Sequence, residues 1–201
     1  MRRMLCLLIL PFLLAGCADR IWAPDDVVAR SHYRSGEPPS ITLFTVVRKR
    51  GNEGAHSGLM INGSERVIYD PAGTWTNPAA PERYDLHFGM TPLMVRYYID
   101  YHARTTYDVY EQTVPVSAEV AEMAIRQAKA EGASMKAMCG SSVSGVLKGL
   151  PGFEAVRSSF FPGKLMREFA TLPGVVTTKY TDDDDDNNKG LLATQIVAPR
   201  Q

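Results

Sequence analysis

Two residues far apart in this chain have the types that covalent chemistry needs, a cysteine and a histidine. Cys139 opens the run Met138-Cys139-Gly140-Ser141-Ser142-Val143-Ser144-Gly145-Val146-Leu147-Lys148-Gly149. Val143, Val146 and Leu147 follow it at i+4, i+7 and i+8, so the spacing predicts a helix that begins at the thiol and packs these three on one face. Gly149 and Pro151 are its stop signals. A thiol at a helix start meets unpaired N–H groups and the positive end of the dipole, which favour the thiolate. The plainer alternative is a small buried residue heading an ordinary helix. His56, within the strand-like stretch Ala55 to Ile61, is the candidate base. It would deprotonate Cys139 or share an ion pair with it, and later protonate a leaving amine. A third polar group, Tyr69 or Asp70, would orient the ring, and the N–H of Cys139 would hold an oxyanion.

The elements that must position these groups follow from the pattern. Ile41 to Val47 is β-rich, and Ala55–Ile61 and Arg66–Tyr69 flank Asn62-Gly63, a strong hairpin signal. A two-residue turn there places His56 opposite Tyr69, and a three-residue loop places it opposite Asp70. Leu59, Ile61 and Ile68 are expected together on the other face. Residues 70–90 read as a long loop forming a lid or binding edge, with Trp75 and Tyr84 exposed and His87 without an assigned role. Thr91-Pro92 starts a largely apolar helix that ends at His102, expected as a capping residue. A strand over 106–114, a helix from the Ser117 cap to Glu131, a helix from Pro162 to Leu172 and a strand from Val175 to Tyr180 complete the reading. Asp182, Asp184 and Asp186 imitate the start of a calcium loop. Asn187 stands where that loop needs glycine and Ala193 where it needs glutamate, so the run reads as a solvated loop. No metal or cofactor is expected.

The amino terminus has the form of an export signal. Arg2 and Arg3 precede an apolar run from Leu5 to Leu14, too short to span a bilayer, and Leu14-Ala15-Gly16-Cys17 resembles a bacterial lipobox. That motif implies cleavage before Cys17, acylation of its sulfur, and a stable hold on membrane lipid. Ala18 at the next position favours the outer membrane, facing the periplasm. Of three cysteines, Cys6 leaves with the signal and Cys17 is lipidated, so Cys139 is an unpaired thiol in an oxidising compartment. Lys plus Arg number 22, as do Asp plus Glu, and no basic stripe interrupts that balance, which gives nucleic-acid binding no support.

The order of strands, His56-Ser57-Gly58-Leu59-Met60-Ile61, Val67-Ile68-Tyr69, later strand and helix, then Cys139-Gly140-Ser141-Ser142 at a helix head resembles the circularly permuted papain-like proteins. These are relatives of NlpC-type cell-wall peptidases in which the histidine precedes the cysteine, and they include amidases and acyltransferases. The resemblance covers about residues 41–150. It implies an α+β fold, a papain-like antiparallel sheet packed against helices, with Cys139 and His56 as catalytic pair. Met138 stands where many members have Asn, and Tyr69 or Asp70 must serve where many have a second polar residue after the hairpin. The expected organisation is a signal peptide (1–16), a lipidated tether (17–40), the papain-like domain (41–180) and an acidic loop with tail (181–201). The expected activity is a membrane-anchored thiol amidase or peptidase acting on a peptide or amide, with peptidoglycan as a candidate substrate. Acyl transfer or lipid-ester hydrolysis is a variant of it, and a non-catalytic envelope lipoprotein that uses the fold as a binding module is the alternative.

Overall fold

The computed structural model describes residues 21–197, so the expected signal peptide and Cys17 lie outside the described residues. Its centre is an open sheet of seven antiparallel strands in the order β4-β5-β3-β2-β1-β6-β7. The strands are β1 (Ser40–Arg48), β2 (Glu53–Asn62), β3 (Arg66–Tyr69), β4 (Glu82–Arg83), β5 (Leu86–His87), β6 (Tyr107–Pro115) and β7 (Val176–Thr181). Six helices accompany them: α1 (Asp25–Ser31), α2 (Pro92–His102), α3 (Ala118–Glu131), α4 (Cys139–Leu147), α5 (Pro162–Phe169) and α6 (Asn188–Val197). The fold is α+β.

β1 is buried at every residue from Ile41 to Val47 because helices cover both faces of the sheet. On one face Ile41, Leu43, Leu59 and Ile61 meet Val120, Ala121, Ala124 and Ile125 of α3, Val143, Val146 and Leu147 of α4, and Leu165 and Phe169 of α5. The alanines of α3 let its backbone approach closely. On the other face Phe44, Val46, Met60 and Ile68 meet Met94, Tyr98, Ile99 and Tyr101 of α2, with Trp75 wedged beside them. α2 starts as its sequence dictates, Thr91 accepting from the N–H of Met94 at 3.3 Å with Pro92 in the first turn.

The hairpin register departs from both sequence expectations. Asn62 pairs with Arg66 and Leu59 with Tyr69, leaving Gly63–Glu65 as the loop. His56 therefore faces neither Tyr69 nor Asp70 in the ladder. The shift also moves Ile68 opposite Met60, onto the α2 face, while Val67 and Tyr69 join Leu59 and Ile61. Within the expected 70–90 loop, β4 and β5 extend the sheet, and Trp75 is buried rather than exposed, its indole donating to Gln195 at 3.2 Å. Residues 21–40, expected as part of a tether, are folded onto the domain. Ala23 bonds Glu82, Arg66 bonds Tyr33, and Asn62 donates to the carbonyls of Glu37 and Pro38. The expected carboxyl-terminal tail contains α6, whose Gln195 donates to the Tyr97 carbonyl and to Asp100, both at 3.1 Å.

Candidate active site

β3 stops opposite Leu59, so the first half of β2 has β1 on one side and no strand on the other. The head of α4 comes to that open edge. The Ser57 N–H on that stretch of β2 and the Gly140 N–H in the first turn of α4 both hydrogen-bond the Cys139 sulfur. α4 is held there by its apolar face on the α3–α5 side of the sheet. Gly140 is required at this junction, because a Cβ would press into the carbonyls of Ser159 and Phe160. The amide of Cys139 has no carbonyl partner among the described residues and stays available at the helix start.

His56 reaches the same place from β2. Its Nε2 is 2.6 Å from Asp70 Oδ1, and the Tyr98 hydroxyl donates to that same oxygen at 2.7 Å. With Nε2 committed to the carboxylate, Nδ1 is the ring nitrogen left to serve the thiol. The ring lies close enough to the Cys139 sulfur to act on its pKa, while its hydrogen bond to a side chain of settled geometry is the one to Asp70. Asp70 leaves β3 in a turn closed by the Gly73 N–H on its carbonyl at 2.9 Å, and its residue is only 1% exposed. Gly58 makes room for this arrangement, since a Cβ there would occupy the place of the Tyr98 hydroxyl.

The electrostatics follow from these contacts. Burial pushes the Cys139 thiol up, but the hydrogen-bonding and charge of His56 and the two backbone N–H groups more than offset it, leaving the pKa below the usual thiol value. Burial also disfavours the His56 cation, yet the Asp70 charge and hydrogen bond, helped by Cys139, raise its pKa to about 10. Asp70 is desolvated, and His56 nonetheless holds it well below the ordinary carboxylate range. These directions favour the proton on His56 over the Cys139 sulfur, with Asp70 ionised behind the ring.

α2 supplies a further layer. The His102 ring stacks on His56 at 5.6 Å with an angle of 8° between planes. Burial, with the His56 charge, lowers its pKa to about 4, so it is neutral near pH 7. Its Nδ1 lies 2.7 Å from the Tyr98 carbonyl, which only accepts, so Nδ1 carries the proton. His102 was expected as a helix cap; it does bond the last turn, and in addition it braces the candidate base.

A cavity of about 270 Å³ opens beside the two imidazoles, lined by His56, His102, Gly73, Thr74, Tyr101 and the buried Arg104 among others. It lies against the ring and does not extend to the sulfur. Cys139 is 7% exposed, and the loops flanking α4 carry the exposed side chains Met135, Phe160 and Phe161. Among the described residues, two groups have metal-ligand atoms within 4.8 Å of one another, His56-Asp70-His102 and Asp100-Asp182-Asp184. In the first, His56 and Asp70 are already bonded to each other. The second is an acidic cluster of the kind common without an ion.

Of the residues singled out in the sequence, Cys139, His56 and Asp70 come together and Tyr69 does not. Tyr69 points to the α3–α5 face and donates to the Gly132 carbonyl at 2.9 Å. His87 is buried against the edge of Trp75. The sequence reading gave Tyr98 no part in the site and His102 only a capping role, although their i, i+4 spacing places them on one helix face. Comparison with known protein families, characterised proteins and solved structures gave no match.

Proposed function

We propose that this protein is a lipid-anchored thiol hydrolase of permuted papain-like fold, cleaving an amide or peptide at the envelope surface, with cell-wall peptides as the leading substrate class. The observation that carries this reading is the placing of Cys139 beside His56, whose ring is hydrogen-bonded to Asp70, which in turn accepts from Tyr98. Each member is buried or nearly so, and each tunes the next.

In the proposed reaction the Cys139 thiolate attacks the scissile carbonyl carbon. The new C–S bond displaces the carbonyl π electrons onto oxygen, where the Cys139 N–H at the helix start stabilises them. His56 gives its proton to the leaving nitrogen as the C–N bond breaks, releasing the amine and leaving a thioester. Neutral His56 then takes a proton from water while the water oxygen attacks the thioester. C–S cleavage returns the thiolate, the imidazolium and a carboxylic acid. Asp70 remains ionised throughout and holds the ring in one orientation.

A second reading, a binding module with an inert thiol, draws on the small exposure of Cys139 and on the cavity stopping short of it. Incubating the protein with muropeptides and with lipid esters, followed by mass spectrometry, separates the two. The hydrolase reading expects new cleavage products and a transient acyl adduct on Cys139, both absent in Cys139→Ala. No product and no adduct from either substrate class would favour the module.

A further inference from the structure

The first described residues add a short strand to the outer edge of β4. Trp22 bridges Arg83, Ala23 donates to the Glu82 carbonyl at 2.9 Å, and Tyr84 donates to the Ile21 carbonyl at 3.0 Å. Successive residues of a strand point to opposite sides. Ile21 accordingly lines a groove with Ile196 of α6 on the α2 side. Trp22 turns the other way, its ring 4.9 Å from that of Tyr84 and 4.5 Å below the Arg83 guanidinium. Ile21, Trp22 and Ile196 are 42%, 56% and 51% exposed. Single exposed apolar residues need no explanation, but these three straddle one edge, and that edge is where the chain comes in from Cys17.

Chain length decides what covers them. Cys17 and Ile21 are separated by three residues, and a fully extended chain of that length reaches only about 14 Å. The headgroup layer of one leaflet is itself about 5–7 Å deep. An acylated Cys17 at the hydrocarbon boundary therefore holds Ile21 within about 7–9 Å of the headgroup surface even when the linker is fully stretched. Tryptophan and arginine beside aliphatic side chains is also the composition that suits a membrane–water boundary.

We propose that the outer edge of β4, through Ile21, Trp22 and Ile196, seats in the headgroup region of the bilayer that holds the Cys17 acyl chains. This rests on the lipid-anchor part of the functional reading and is independent of any reaction at Cys139. The seated edge is also tied to the candidate site. The Asp85 carboxylate, in the turn after β4, accepts from Ala72 at 2.7 Å and Ser134 at 2.8 Å, one on the loop after Asp70 and the other on the loop leading to Cys139.

The two tryptophans make the test direct. Trp75 is 1% exposed in the core, so Trp22 is the one that surface quenchers reach. The full-length acylated protein is reconstituted into vesicles of phosphatidylethanolamine and phosphatidylglycerol containing a brominated phosphatidylcholine, and the acyl chains on the Cys17 peptide are verified by mass spectrometry. The expected result is quenching by the bromolipid that disappears in Trp22→Phe. It should fall by about twofold or more in Ile21→Asp/Ile196→Asp with Cys17 still acylated. Acylated protein whose Trp22 emission ignores bromolipid but responds to aqueous acrylamide would overturn the seating. A Cys17 peptide without acyl chains would overturn it through its premise, a result that mass spectrometry tells apart from the first.

Discussion

On the side of the sheet covered by α3, α4 and α5 the packing is mostly aliphatic, with Tyr69, Phe88, Phe153 and Phe169 as its aromatic members. The side covered by α2 and α6 is aromatic and polar. Tyr98 touches Phe44 and Trp75 with its ring while its hydroxyl serves Asp70. The dry side fixes α4 and so fixes where Cys139 sits. The polar side fixes the imidazole and its charge. The two meet along the half of β2 that β3 leaves uncovered, and the candidate site lies at that meeting. Thiol reactivity should therefore depend on the polar side, whereas stability should draw on both sides and most heavily on the dry one.

The largest expected effect is on the polar side. Asp70→Asn removes the charge that supports the His56 cation, and alkylation of Cys139 by iodoacetamide at pH 6 should slow by about 100-fold or more. A change of a few fold would break the division between the two faces. Phe169→Ala probes the other side. It opens a cavity in the apolar core and should cost about 3–5 kcal/mol in urea unfolding, while the folded protein keeps the wild-type pH dependence of alkylation.

The acid limb of stability sharpens the contrast. Asp70 has a native pKa held below its unfolded value, so its contribution is present above about pH 4 and is lost as the pH falls toward the native pKa. Unfolding free energy should drop by on the order of 2 kcal/mol between pH 5 and pH 2 from this group, and Asp70→Asn should flatten that part of the profile. The smallest expected effect is that of Tyr98→Phe, which removes one of two donors to Asp70. It should cost about 1 kcal/mol and move the alkylation midpoint upward by less than about one pH unit.

The division between faces also explains which features were legible in the sequence. α2 and α3 follow from their Thr91 and Ser117 caps and α4 from the apolar spacing of Val143, Val146 and Leu147, all local signals. The hairpin register was not legible because Asn62, read as a turn residue, is held by distant partners. Its side chain bonds the carbonyls of Glu37 and Pro38 and accepts from Ser35 at 2.7 Å, which fixes it as the closing pair with Arg66. β4 and β5 are two residues each, too short to leave a pattern, and they exist because β3 and residues 21–23 flank them. Cys139 and His56 stood out by residue type. Tyr98 and His102 did not, since on a helix apolar nearly all round a tyrosine and a terminal histidine look like packing and capping. Only the fold lays His102 on His56.

The central claim is that folding joins His56 to Cys139 as an ion pair. The rate of Cys139 alkylation measured against pH from 4 to 10, in the native protein and in His56→Ala, tests it most directly. The account predicts a native rate already high at pH 6 and a variant whose rate rises only near the free-thiol value of about 8.5. Coincident profiles for the two proteins, or a native thiol that reacts only after denaturation, would contradict it.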